Sequence, residues 1–191
     1  MKQNDYTQAV RNIAWGNIML LLNINLGING NTVDFLPGWL GYLLFYNAIV
    51  AIGTVNRQTS LLKPLAILLG VTEAVLWTAD LLGLTFNLPV ISMIKSVLKM
   101  YFMFQLLTDI RDIAQSHNSR YTGSIRATRA LITVCDSFIY TAGYISDLLL
   151  HNTIVMIVFG VTGVIMALAT VYQAVILFRY AKEEKKKEEL L

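Results

Sequence analysis

Polar and apolar positions along this chain sort into six mostly apolar runs, residues 10–28, 35–55, 61–84, 88–110, 127–150 and 154–180, divided by short polar breaks. A helix needs ~20 mostly apolar residues to cross the hydrocarbon of a bilayer. The pattern therefore predicts an all-α polytopic membrane protein, six transmembrane helices arranged as three hairpins. Pro37 and Pro89 fall in the opening turns of the second and fourth helices, where a missing N–H costs least. The fragments Phe35-Leu36-Pro37 and Phe86-Asn87-Leu88-Pro89 repeat at those turns, as a duplicated hairpin would. The first run is interrupted by Asn17, Asn23 and Asn25 and is followed by no small-residue cleavage site, so it reads as a permanent helix rather than a signal peptide.

The whole chain, 1–191, reads as one transmembrane domain. A flexible cytoplasmic connector rich in Ser, Asn and Arg is expected over 110–126, and a charged tail over 181–191. The tail mixes Lys and Glu at helical spacing and reads as a solvated helix end.

Charge fixes the orientation of this pattern. Lys and Arg total 15, and all but Lys95 and Lys99 lie in four stretches: Lys2 with Arg11, Arg57 with Lys63, 111–129 and 179–187. The breaks at 29–34, 86–89 and 149–153 carry none. Alternation of basic and non-basic loops is the positive-inside rule, and it places both termini in the cytoplasm. Composition agrees, with 55% hydrophobic residues, 14% charged and a mean hydropathy of +0.57. Soluble proteins carry about 25% charged residues. The net charge of +3 is confined to short loops and the tail, where it orients helices and meets anionic headgroups. No nucleic-acid role follows from it, and the lipid bilayer is the first expected partner.

Ionisable residues inside transmembrane helices are costly and by default mark a functional site. Here they fall at helical spacing on three helices. Glu73 and Asp80 share one face of the third, with Gly70 and Trp77 beside them. Ser92, Lys95, Ser96 and Lys99 form a stripe on the fourth. Thr133, Asp136, Tyr140, Tyr144 and Asp147 lie close to one face of the fifth. Folding the third and fourth helices about Phe86–Asn87 levels Asp80 with Lys95 and Glu73 with Lys99, so those two ion pairs are expected. Asp136 competes for Lys99. Four acids against two lysines leave at least one acid to be protonated or to face water, which suits proton coupling or a zwitterionic ligand.

The remaining helices read as supporting parts. Gly160, Gly163, Ala167 and Ala174 give the sixth a small-residue face for close packing, against another helix, a protein partner or a second copy. Gly38, Gly41 and Tyr42 open the second, and Asn12, Gly16, Asn23 and Gly27 share a face of the first. Asn23 there either bonds across helices or lines the cavity. His117 and His151 fall on opposite sides of the membrane, Cys135 is the lone cysteine, and no GxSxG, HExxH or P-loop pattern occurs. Neither a metal nor a cofactor is expected, and an enzymatic role has no motif behind it.

The stretch Asp34-Phe35-Leu36-Pro37-Gly38-Trp39-Leu40-Gly41-Tyr42-Leu43-Leu44, after Asn23-Ile24-Asn25-Leu26, resembles a pattern in small uncharacterised multi-pass membrane proteins of Gram-positive bacteria. The resemblance covers the first hairpin and implies a bacterial cytoplasmic membrane without implying an activity. Size, helix count and topology also resemble the substrate-binding subunits of energy-coupling-factor vitamin transporters. Those carry an Ala-x-x-x-Ala docking patch on the first helix, from which Ala14-Trp15-Gly16-Asn17-Ile18 departs.

The reading that results is a small membrane transporter, or a membrane-embedded solute-binding subunit, with a polar cavity between the third, fourth and fifth helices. Lys99 and Glu73 form its expected centre, Asp80 and Lys95 an outer gate, and Asp136 a cytoplasmic switch. Tyr140 and Tyr144 supply hydroxyls and aromatic walls. The rival is a non-catalytic membrane partner, an assembly, sensor or immunity subunit, whose buried charges only fix helix register.

Overall fold

A computed structural model describes residues 3–22, 25–28, 31–34, 37–84, 89–144 and 153–189. Among them the chain is almost wholly helical: α1 (Gln3–Leu21), α2 (Trp39–Ile52), α3 (Lys63–Leu81), α4 (Pro89–Ser116), α5 (Thr122–Tyr144) and α6 (Thr153–Glu188). A single 3-10 turn, Thr59–Leu62, leads into α3.

One element departs from the all-α expectation. Strands β1 (Asn25–Ile28) and β2 (Asn31–Asp34) pair antiparallel, with Ile28 opposite Asn31 and Asn25 opposite Asp34. The two residues between them are Asn29-Gly30, the dipeptide most favoured in two-residue hairpins. Because the hairpin claims the end of the first apolar run, α1 begins at Gln3 and stops at Leu21, displaced toward the N-terminus from the expected 10–28. α2 is 14 residues long, shorter at both ends than the expected 35–55.

Among the described residues, three helical segments are long and apolar enough to cross a membrane: Thr59–Leu81, Val90–Ser116 and Thr153–Lys187. The other helices differ for legible reasons. α2 is apolar but short, α1 is broken by Asp5, Arg11, Asn12 and Asn17, and α5 carries Arg126, Arg129 and Asp136.

The helices neighbour one another in chain order and close into a ring, α1 against α2, α2 against α3, onward to α6 back against α1. The seam between α3 and α4 is the thinnest. Across the centre, the Tyr42, Phe45 and Phe102 rings pack with centroids 5.6 to 6.0 Å apart, tying α2 to α4. This aromatic plug depends on a close approach of α1 and α2. A Cβ at Gly16 would lie 2.6 Å from Phe45 Cε1, and one at Gly41 would lie 3.1 Å from the Gly16 carbonyl oxygen.

Burial is uneven along the ring. Between 153 and 168 no residue of α6 is buried, whereas Ala169, Gln173, Ala174, Ile176, Leu177, Tyr180, Ala181 and Glu184 are. The core thus sits toward the end where the N-terminal turns, the α4–α5 connection and the C-terminal segment meet. Outward, α6 bares Ile154, Ile157, Val161, Val164 and Leu168, and only 6% of its most apolar stretch is buried. An apolar face of that extent is far beyond what a monomer keeps in water.

Candidate functional site

α4 places Lys95, Ser96 and Lys99 on one face, as its periodicity predicts; Ser96 is buried, while Ser92 at the start of the stripe is exposed. The partners of the lysines differ from expectation. Lys95 Nζ lies 3.3 Å from Glu73 Oε1, so the expected Glu73–Lys99 and Asp80–Lys95 pairs are replaced by Glu73–Lys95. α3 stops at Leu81 and α4 starts at Pro89. Counted from those helix ends at ~1.5 Å per residue, Glu73 lies about 12 Å in, Lys95 about 9 Å and Lys99 about 15 Å, so depth alone leaves both lysines within reach. Asp80 is exposed in the last turn of α3.

Tyr140 of α5 reaches Ser96 and borders the Glu73–Lys95 pair. The Tyr42 hydroxyl lies nearby, buried and without a hydrogen-bond partner among the described residues. These groups form an outer polar layer above the aromatic plug.

One turn further along α4 and α5 lies an inner layer. Lys99 and Asp136 line a cavity of about 70 Å³ together with Asn17 of α1 and Thr170 and Gln173 of α6. Its walls are apolar, including Leu20, Met103, Ile132 and Met166. Lys99 acts electrostatically on Asp136, although no direct ion pair joins them among the described residues. Asn17 and Gln173 are 2% and 1% exposed, and the amide nitrogen of each lacks a hydrogen-bond partner among the described residues. A buried donor left unsatisfied costs about 1–3 kcal/mol, so each invites a water or a ligand group.

This cavity lies between α1, α4, α5 and α6. Asn17, Thr170 and Gln173 carry no charge; each is a polar residue within a mostly apolar run, a weaker form of the same signal. Tyr144 belongs to α5, but its side chain lies outside the described residues, as do Asn23 and Asp147 entirely. Gly160 and Gly163 meet nothing within 4 Å, so the small face of α6 is open there, whereas Ala174 is buried. Among the described residues, no three His, Cys, Asp or Glu side chains gather as metal ligands would.

A second polar assembly ties the basic end together. The expected flexible connector is mostly helix: α4 runs to Ser116 and α5 starts at Thr122, with Asn118 in the left-handed region at φ 51° making the turn. The tail is equally ordered. His117 Nδ1 lies 2.7 Å from Glu184 Oε2, and Lys187 Nζ donates to Glu184 Oε1 and to the His117 carbonyl, each at 2.9 Å. The Tyr6 and Tyr180 hydroxyls meet at 3.0 Å, and the Tyr6 ring stands edge-on to His117. Burial pushes the Tyr6 hydroxyl far above its ordinary pKa, so it serves as a neutral hydrogen-bonding group. Glu184, 1% exposed, makes this end of α6 a buried junction rather than a solvated helix end.

Compared with known proteins, the chain matches no family model, no curated protein and no solved structure.

Proposed function

We propose that this chain is an integral membrane protein of six spans, with both termini and the α4–α5 turn at the cytoplasmic face. Its inner cavity would bind a small polar or zwitterionic solute, in a transporter or in the solute-binding subunit of one. Three apolar segments of membrane-crossing length and the outward apolar face of α6 support the placement. The gathering of the basic loops at one end supports the orientation. In this reading α1, α2 and α5 are spans whose polar or short character is tolerated because they face the ring interior.

The observation that carries the solute reading is the pair of buried, unpartnered amide nitrogens of Asn17 and Gln173 facing the same space as Lys99 and Asp136. A cation, a carboxylate and two amides around one void are complementary to a molecule bearing both charges. The void of about 70 Å³ holds a few waters at roughly 10–15 Å³ each. Ligand pockets for larger molecules run about 300–1,000 Å³. The solute is accordingly one of a few heavy atoms, unless the thin α3–α4 seam parts to admit more.

The test is gentle purification followed by mass spectrometry of everything retained. Wild-type protein should carry a small solute that the Lys99→Met variant lacks. Equal solute content in both, or none in either, would remove the assignment. A second reading, a non-catalytic membrane partner, draws on the open Gly160–Gly163 face of α6. It would gain from a stoichiometric protein companion and no solute.

A further inference from the structure

We propose that the basic end of α6 carries a binding site for the phosphate headgroup of an anionic phospholipid. A cleft of about 460 Å³ opens between the α4–α5 turn and the last turns of α6. It is lined by Arg120, Arg179, Lys182, Lys186 and Lys187, five cations against the one carboxylate of Glu183. That carboxylate is already engaged, 3.3 Å from Lys187 Nζ and 3.5 Å from Arg120 Nε. Arg179, Lys182 and Lys186 have no carboxylate partner among the described residues and are exposed to the cleft. Three unneutralised cations converging on one concavity are matched by a phosphate.

What selects a lipid over a free phosphate is the surface leading into the cleft. Leu168, Tyr172, Val175, Arg179, Lys182 and Lys186 follow one another at intervals of four and three residues, a single stripe along α6. Leu168, Tyr172 and Val175 are exposed large hydrophobics. The stripe therefore passes without interruption from hydrocarbon-facing side chains to the three free cations. An acyl chain along the first half brings its own headgroup to the second. Basic pockets beside transmembrane helices on the cytoplasmic side bind anionic headgroups in this manner. Tyr172, within the apolar half and two turns before Arg179, is an amphipathic ring of the kind that settles near the headgroups. The inference rests on the membrane placement above and is independent of the solute cavity.

The experiment is native mass spectrometry of the full-length protein in detergent, titrated with phosphatidylglycerol or with phosphatidylcholine of the same acyl chains. Wild-type protein should retain phosphatidylglycerol in preference to phosphatidylcholine. The exposed triple variant Arg179→Gln/Lys182→Gln/Lys186→Gln should retain about tenfold less or lower still, since each removed cation weakens the attraction. Arg111→Gln/Arg126→Gln, which neutralises a separate cleft lined by none of the same residues, should retain as much as wild type. Equal loss in both variants would reduce the effect to general charge attraction and overturn the site. Displacement of the lipid by an equimolar amount of inorganic phosphate would overturn the lipid assignment. Release of the chain from membranes by alkaline carbonate would remove the membrane placement itself, an outcome distinct from failure of the titration.

Discussion

Lys95 Nζ and Glu73 Oε1 lie 3.3 Å apart across the α3–α4 seam, the thinnest contact in the ring. Both side chains are about a quarter exposed, so the pair sits between a buried ion pair and a surface one. Breaking a fully buried pair costs about 3–5 kcal/mol, and an exposed one about 0–1. Lys95→Met or Glu73→Gln should each cost roughly 1–2 kcal/mol, read as a fall in Tm in detergent. The exchange Glu73→Lys/Lys95→Glu should recover most of that loss. A swap no better than the worse single variant would mean that the two groups do not act on each other.

The cavity amides separate stability from function. Gln173→Leu removes a buried donor that has no partner among the described residues, and should raise stability by about 1 kcal/mol. The same substitution should abolish solute retention. A lower Tm would show that the amide is already satisfied in the resting protein, by water or by a neighbour.

Gly16 is fixed by contact with an aromatic ring. A Cβ there would meet Phe45 Cε1 at 2.6 Å, and Phe45 is pinned in turn by Tyr42 and Phe102. Gly16→Ala should therefore cost about 1–3 kcal/mol by overpacking. Gly163→Ala, with nothing within 4 Å, should leave Tm unchanged in the monomer. If Gly163→Ala destabilises the purified protein instead, the open face of α6 is covered by a second copy, which cross-linking would reveal.

Glu184 accepts from Lys187 and pairs with His117 while almost fully buried. Glu184→Ala should cost roughly 1–2 kcal/mol, because it strands the His117 ring, while Lys187 keeps Glu183 and the His117 carbonyl. The C-terminal turns should then be cut by protease well before the rest of the chain unfolds. Lys185→Ala, whose side chain is 59% exposed, is the matched control and should change little.

The sequence made part of this legible, for physical reasons that differ between elements. The α4 stripe and the α5 face were readable because a helix repeats every 3.6 residues and a buried charge stands out against an apolar run. Which lysine meets Glu73 was not, because register depends on where α3 ends and how many residues join it to α4. The strand pairing of 25–28 with 31–34 was not legible either, because both stretches border apolar runs long enough to read as helix. Asn17 and Gln173 are single uncharged residues on helices far apart in the chain, and only ring closure brings them together. The buried Glu184 sits in a run of Lys and Glu that looks uniformly solvated, and nothing local distinguishes it from Glu183.

A ring that neighbours itself in chain order, closed by its last helix, has a temporal consequence. While the chain is being synthesised, α1 to α5 form an open arc, and Asn17 and Asp136 stand uncovered at the gap that α6 will fill. Once α6 is in place, Glu184 reaches His117 and latches it onto the α4–α5 turn. A chain stalled before α6 would leave Lys99 and Asp136 uncovered, a lesion that cellular proteases can recognise.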